Sequence, residues 1–304
     1  MRVGATGQEL VAEAAASLLD PQGRALAQSV QWWDLDGYPE PWPVAVVGAG
    51  APVLLLHGFD SSFLEFRRLA PLLAPHHHLF IPDLFGFGFS PRQAGAAHGP
   101  SAVLDHLETL VNAIQERCGH RPVQLIGASM GGSVAVELAR RLGDRIGELM
   151  LLAPAGLTGR PMPVPPLLDA LGVRFLALPG VRQGLCRSAF ADPDADVGAP
   201  ELEIASLHLH TAGWAQALAA FARSGGFAGC GDPLPAQPMA VLWGANDRIL
   251  RQPQKRDALA LLGERVRELD ACGHLPHIDQ PQAVAATWWE HTGRAQSSPL
   301  PVAG

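Results

Sequence analysis

The sequence predicts an α/β protein built on a doubly wound, mostly parallel sheet with a helical insertion, and three observations carry that prediction. Short all-apolar runs alternate with helical patterns along the first half of the 304 residues, which is how parallel strands joined by crossover helices read. The alternation stops near Pro154 and resumes only at Met239. One apolar run, residues 123–128, ends abruptly in Gly127-Ala128-Ser129-Met130-Gly131, and a helix pattern follows at once.

Taken in order, residues 1–28 are Ala-rich, and Leu10, Val11, Ala14, Ala15 and Leu18 share one face of an accessory helix ending near Asp20-Pro21. Residues 29–34 and 44–47 read as an antiparallel pair at a sheet edge, with Trp32 and Trp33 on opposite faces. Val53-Leu54-Leu55-Leu56 is a strand buried on both faces and leads into His57-Gly58-Phe59-Asp60. Ser61 or Ser62 is placed to cap a helix through Leu64, Leu69 and Leu72. A strand at 78–82 precedes a glycine-punctuated loop carrying Phe85, Phe87 and Phe89. A helix over 101–118 follows, then the strand at 123–128, a helix through Val134, Leu138 and Leu142, and a strand at 146–152.

Residues 155–236 break the pattern with prolines and short helical stretches, among them an apolar one at 167–178 and a run at 201–223 holding His208, His210, Trp214 and Phe221. This segment is expected to form a helical cap over the strand ends. Residues 29–154 and 237–293 then make the core, which closes with strands at 239–243 and 266–269 and a helix starting at Pro281, a residue suited to a first turn. Residues 294–304 read as a flexible tail.

Composition narrows the function. With 48% hydrophobic and 17% charged residues the chain can bury a large core. A net charge of -7 and the lack of any Lys/Arg run argue against nucleic acid and against an anionic membrane surface as partners. Glu9 and Glu13 interrupt the N-terminal apolar pattern, and no apolar run approaches the roughly 20 residues of a membrane span, so a cytoplasmic location is expected. Cys118, Cys186, Cys230 and Cys272 show no CxxC spacing and are expected to be thiols rather than zinc ligands or disulfides. The run His76-His77-His78 reads as a solvated turn, and His208 and His210 do not share a helical face, so no metal site is expected.

A strand that turns into a helix through Gly-x-Ser-x-Gly holds its serine in a strained, exposed conformation at a helix N-terminus, which suits a nucleophile. Such a serine needs a base, and the base needs a carboxylate that fixes its tautomer. Asp247, directly after the strand at 239–243, is favoured as the carboxylate over Asp232 and Asp270. His274, which follows Gly273 in the loop after the last strand, is favoured as the base over His277. The backbone N–H groups of Met130 and Phe59 are the candidate oxyanion donors. His57 is expected to be structural.

With the serine elbow, the His57-Gly58-Phe59 loop, the 83–90 loop, Asp247 and Gly273-His274 all in order, residues 29–292 resemble the α/β-hydrolase superfamily. The resemblance implies an eight-stranded sheet, a Ser129, Asp247 and His274 triad, an oxyanion hole from Phe59 and Met130, and no cofactor. Ser129 stands where haloalkane dehalogenases and epoxide hydrolases of this fold carry an aspartate. Carbon-carbon hydrolases typically show a Gly-rich His-Gly-x-Gly-Pro-Gly loop and an asparagine before the serine, where this chain has Phe59-Asp60-Ser61 and Ala128.

Phe59, Phe85, Phe87 and Trp214 are expected to bind an apolar substrate. A carboxylic ester with an apolar acyl or alcohol part is the expected substrate, cleaved through an acyl-enzyme. Carbon-carbon cleavage, perhydrolysis, and small-molecule reception with a slow triad remain the alternatives.

Overall fold

The computed structural model describes residues 4–93 and 95–293; the tail expected at 294–304 lies outside them. Eight strands form one sheet: β1 (Val30–Trp33), β2 (Trp42–Val47), β3 (Ala51–Leu56), β4 (His77–Pro82), β5 (Val123–Ala128), β6 (Ile146–Leu152), β7 (Met239–Gly244) and β8 (Val266–Leu269). Their order is β1-β2-β4-β3-β5-β6-β7-β8. β2 pairs antiparallel with both β1 and β4, and every other pair is parallel.

The helices are α1 (Gly7–Ser17), α2 (Pro21–Gln28), α3 (Ala70–Leu73), α4 (Pro100–Arg117), α5 (Met130–Leu142), α6 (Leu168–Leu176), α7 (Pro179–Ala189), α8 (Pro193–Asp196), α9 (Ala199–Leu207), α10 (Trp214–Ser224), α11 (Gln252–Leu262), α12 (Pro276–Asp279) and α13 (Pro281–His291). Because strand side chains alternate between faces, Leu54, Leu56, Leu125 and Trp243 pack with α4 and α5 on one side of the sheet. Val53, Leu55, Ile126 and Leu242 pack with α1, α2 and α13 on the other. Helices α6 to α10 form the insertion between β6 and β7. No helix among the described residues is long and apolar enough to cross a membrane.

Four local expectations are corrected. The N-terminal segment forms two helices, because Asp20 accepts the Gly23 N–H at 2.9 Å and starts α2 with Pro21 in its first turn. The helix expected through Leu64, Leu69 and Leu72 is a 3-10 turn, Phe63–Phe66, followed by the short α3; Ser62 makes no cap bond. The Phe63 N–H goes instead to Asp83 Oδ1 at 2.7 Å. The 201–223 run is split by a 3-10 turn at His208–His210 and by Gly213, at φ 78. His77 is buried in β4 and accepts Trp288 Nε1 at 3.2 Å, so the histidine run is not a solvated turn.

Candidate active site

Parallel strands end at one edge of the sheet, and the loops there carry the chemistry-bearing residues. Ser129 is the only residue between β5 and α5, at φ 51 and ψ -119. That turn fits because two flanking positions lack a Cβ: one on Gly127 would lie 2.2 Å from Gly131 O, and one on Gly131 would lie 2.0 Å from Leu56 O.

The loop after β8 brings His274 to the serine, with Nε2 2.9 Å from Ser129 Oγ and Nδ1 2.9 Å from Asp247 Oδ2. Asp247 is anchored in turn: Trp243 Nε1 donates to Oδ2 at 3.0 Å, and the N–H groups of Ile249 and Leu250 donate to Oδ1. Burial alone raises its pKa, but the His274 contact and the Ile249 and Leu250 N–H groups hold the carboxyl below its ordinary value. Close approach again explains the glycines, since a Cβ on Gly244 would lie 1.9 Å from Gly273 O.

Gly58 lies against the serine, where an added Cβ would be 3.3 Å from Ser129 Cβ. Its N–H donates to the buried Glu65, whose Oε1 lies 3.1 Å from His277 Nε2. His277 thus belongs to the support of this loop. His57 accepts the Leu84 N–H at 3.0 Å through Nε2, and burial pushes its pKa down to about 4, so it stays neutral. Met130 is the first residue of α5, where helix N–H groups have no intrahelical acceptor.

Two cavities flank Phe59. One of about 270 Å³ is lined by Phe59, Ser129, His274, Leu176, Leu185 and Ile204, together with the ion pairs Asp60–Arg182 and Arg67–Glu201. The other, about 310 Å³, is lined by Phe59, Met130, Val164, Phe221 and Phe227. Three expected substrate contacts line neither. Phe85 stacks on Trp42 at 5.6 Å, Phe87 is buried between Phe59 and Phe221, and Trp214 is buried with its Nε1 on Asp60. In this structure their rings pack against other side chains instead of lining a cavity.

Sequence reasoning missed Asp60. It takes φ 50, and its carboxylate accepts Trp214 Nε1 at 2.8 Å, His208 Nε2 at 3.1 Å and Arg182 Nη1. Three parts of the insertion converge on the residue after Phe59. The unusual aspartate in a His-Gly-Phe loop and the two aromatic donors at 208 and 214 were the available signal. Cys186 lines the first cavity, and burial raises its thiol to about 11; all four cysteines are free. Among the described residues no group of three or more His, Cys, Asp or Glu could hold a metal ion.

A mostly parallel eight-stranded sheet with a Ser-His-Asp chain at its carboxyl edge is a hydrolase architecture. The sequence model of the alpha/beta hydrolase family matches residues 53–287, and the chain belongs to that family. It is 29% identical over 248 residues to the alpha/beta hydrolase domain-containing protein VTE7 of Arabidopsis thaliana, covering 80% of this chain and 74% of the relative. It is 33% identical over 116 residues to the 2-hydroxy-6-oxo-2,4-heptadienoate hydrolase of Pseudomonas putida, covering 37% of this chain and 40% of the relative. A thermophilic esterase from Thermogutta terrifontis superposes with a TM-score of 0.64 at 26% identity, covering 87% of this chain and 98% of that one. Relatives thus include esterases and carbon-carbon hydrolases.

Proposed function

We propose that this chain is a serine hydrolase cleaving a carboxylic ester with an apolar acyl or alcohol part. The observation that carries the reading is the unbroken chain Ser129 Oγ, His274, Asp247 opening beside Phe59. Ser129 Oγ attacks the carbonyl carbon and its proton passes to His274 Nε2, while Asp247 holds the Nδ1 proton and stabilises the imidazolium. The N–H groups of Phe59 and Met130 stabilise the oxyanion. The alcohol leaves with the proton from His274, and a water activated by the same imidazole resolves the acyl-enzyme. The insertion acts as the cap, and the apolar walls on both sides of Phe59 take the two halves of the ester.

The Pseudomonas putida relative favours carbon-carbon cleavage as a second reading, while the Phe59-Asp60-Ser61 loop in place of a Gly-rich one disfavours it. A p-nitrophenyl ester series from acetate to long acyl chains, run beside a ring-cleavage dienoate, separates them. Ester turnover with a chain-length optimum supports the proposal; turnover of the dienoate alone overturns it.

A further inference from the structure

The loop that carries His274 is held from behind by the insertion. Its imidazole lies 2.9 Å from both Ser129 Oγ and Asp247 Oδ2, and the backbone at Gly273 and His274 sets where that ring stands. Both N–H groups of this backbone are engaged. The His274 N–H donates to the Ala189 carbonyl at 2.8 Å, and the Gly273 N–H donates to Asp279 Oδ2 at 2.6 Å. The same oxygen accepts the Ala191 N–H at 3.0 Å. One carboxylate oxygen thus joins the histidine loop to the turn that leaves α7.

The rest of the joint is close backbone and a small apolar cluster. A Cβ on Gly273 would lie 2.3 Å from Ala189 O and 2.8 Å from Ala191 N, so glycine is what lets the two segments meet. Ala189 is the last residue of α7, where carbonyls lack an intrahelical donor, and its oxygen is free to take the His274 N–H. Arg248, next to Asp247, donates to the carbonyls of Phe190 and Ala191. Phe190 is buried with Ile278 of α12, the helix that ends in Asp279. Near its start α7 also carries Arg182, ion-paired with Asp60 beside Phe59. One helix of the insertion is therefore tied to the Phe59 loop through Arg182 and to the His274 loop through the turn that follows it.

Asp279 Oδ1 is buried and makes no hydrogen bond among the described residues. The carboxylate accepts through Oδ2 alone, an arrangement that an amide oxygen can copy.

We propose that Asp279 is a positioning residue for the catalytic base: through Oδ2 it locks the Gly273-His274 backbone to the 189–191 turn of the insertion and so aims the imidazole at Ser129. The role of His274 as base rests on the serine-hydrolase reading; the choice of ester does not enter. A misplacement of about 1 Å costs on the order of 100-fold in rate, so a loosened base slows the steps in which it moves a proton and leaves binding in the cavity largely as it was.

The test compares Asp279→Ala, which removes the acceptor, with Asp279→Asn, which keeps one oxygen for the two N–H groups. Hydrolysis of p-nitrophenyl acetate is followed beside inactivation by diethyl p-nitrophenyl phosphate, in which Ser129 Oγ displaces nitrophenolate from phosphorus and His274 takes the serine proton. Asp279→Ala is expected to lower kcat and the inactivation rate by about 10- to 100-fold, with KM changed by less than about threefold. Asp279→Asn is expected to restore both rates to within about threefold of wild type. A folded Asp279→Ala with wild-type rates overturns the proposal, because the residue then only supports the fold. A rise in KM at unchanged kcat also overturns it, as does a loss of about tenfold or more in folded Asp279→Asn. Should Asp279→Ala not fold, Asp279→Gln takes its place under the same outcomes, since it keeps an acceptor but displaces it by one carbon. A wild type that reacts with the phosphate at Ser129 yet hydrolyses no ester overturns the ester reading, and the inactivation rates then decide this one.

Discussion

Trp214 Nε1 donates to Asp60 Oδ1 at 2.8 Å, joining the insertion to the residue that follows Phe59. His208 and Arg182 meet the same carboxylate, so the position of the Phe59 N–H depends on how the insertion is seated. Asp60→Ala removes the acceptor from three buried donors and leaves Arg182 without its carboxylate partner. It is expected to cost about 3 kcal/mol of stability and to lower kcat by about tenfold or more with a smaller change in KM. Thermal unfolding and steady-state kinetics on one ester check both; unchanged kcat would mean that the network only supports the fold.

Phe59 is the wall between the two cavities. Phe59→Ala opens one into the other and keeps the backbone N–H. The preferred acyl chain should lengthen, with kcat on the best substrate reduced by less than about tenfold. A chain-length profile of the two proteins reads this directly.

Gly131→Ala tests the packing of the serine turn, since its Cβ would lie 2.0 Å from Leu56 O on β3. Backbone on both sides prevents relief, and a loss of roughly 3 kcal/mol or more is expected in urea unfolding.

His106 gives a pH dependence of known sign. It is fully buried on α4, its ring centroid 4.0 Å from that of Trp42, and burial pushes its pKa from 6.5 down to about 3. As pH falls below 6.5 the unfolded chain takes up this proton and the folded chain does not, so stability is lost progressively between pH 6.5 and about 3. His106→Leu removes that contribution. The gap between wild type and variant should shift in the variant's favour by ~2 kcal/mol between neutral and mildly acid urea titrations; a gap independent of pH would contradict it.

The fold was legible because it rests on local pattern. Val53 to Leu56 is apolar on both faces and residues 123–128 are apolar except for Gln124, which places both in the middle of a parallel sheet. The serine turn was legible for the same reason, as its glycines answer to neighbours within a few residues or on the adjacent strand. Ser129, His274 and Asp247 stand together because each follows a parallel strand, and such strands all end at one edge. What could not be read depends on contacts across the chain. Trp214 and Asp60 lie 154 residues apart, and Trp214 became a pocket candidate through composition alone. His208 was set aside because periodicity gave it no partner, whereas the 3-10 turn at 208–210 presents it to Asp60. The exposure of Leu168, Leu171 and Phe175 on α6 was equally hidden, since an amphipathic pattern does not say which side meets the core.

The central claim is that Ser129 is the nucleophile and that His274 and Asp247 activate it. Rapid mixing with p-nitrophenyl butyrate, followed by mass analysis of the quenched protein, tests it most directly. A burst of nitrophenolate and an acyl adduct on the peptide containing Ser129 are expected, both lost in Ser129→Ala, with turnover lowered about 10⁴-fold in Asp247→Asn. Undiminished turnover in Ser129→Ala, or an adduct on another residue, would contradict it.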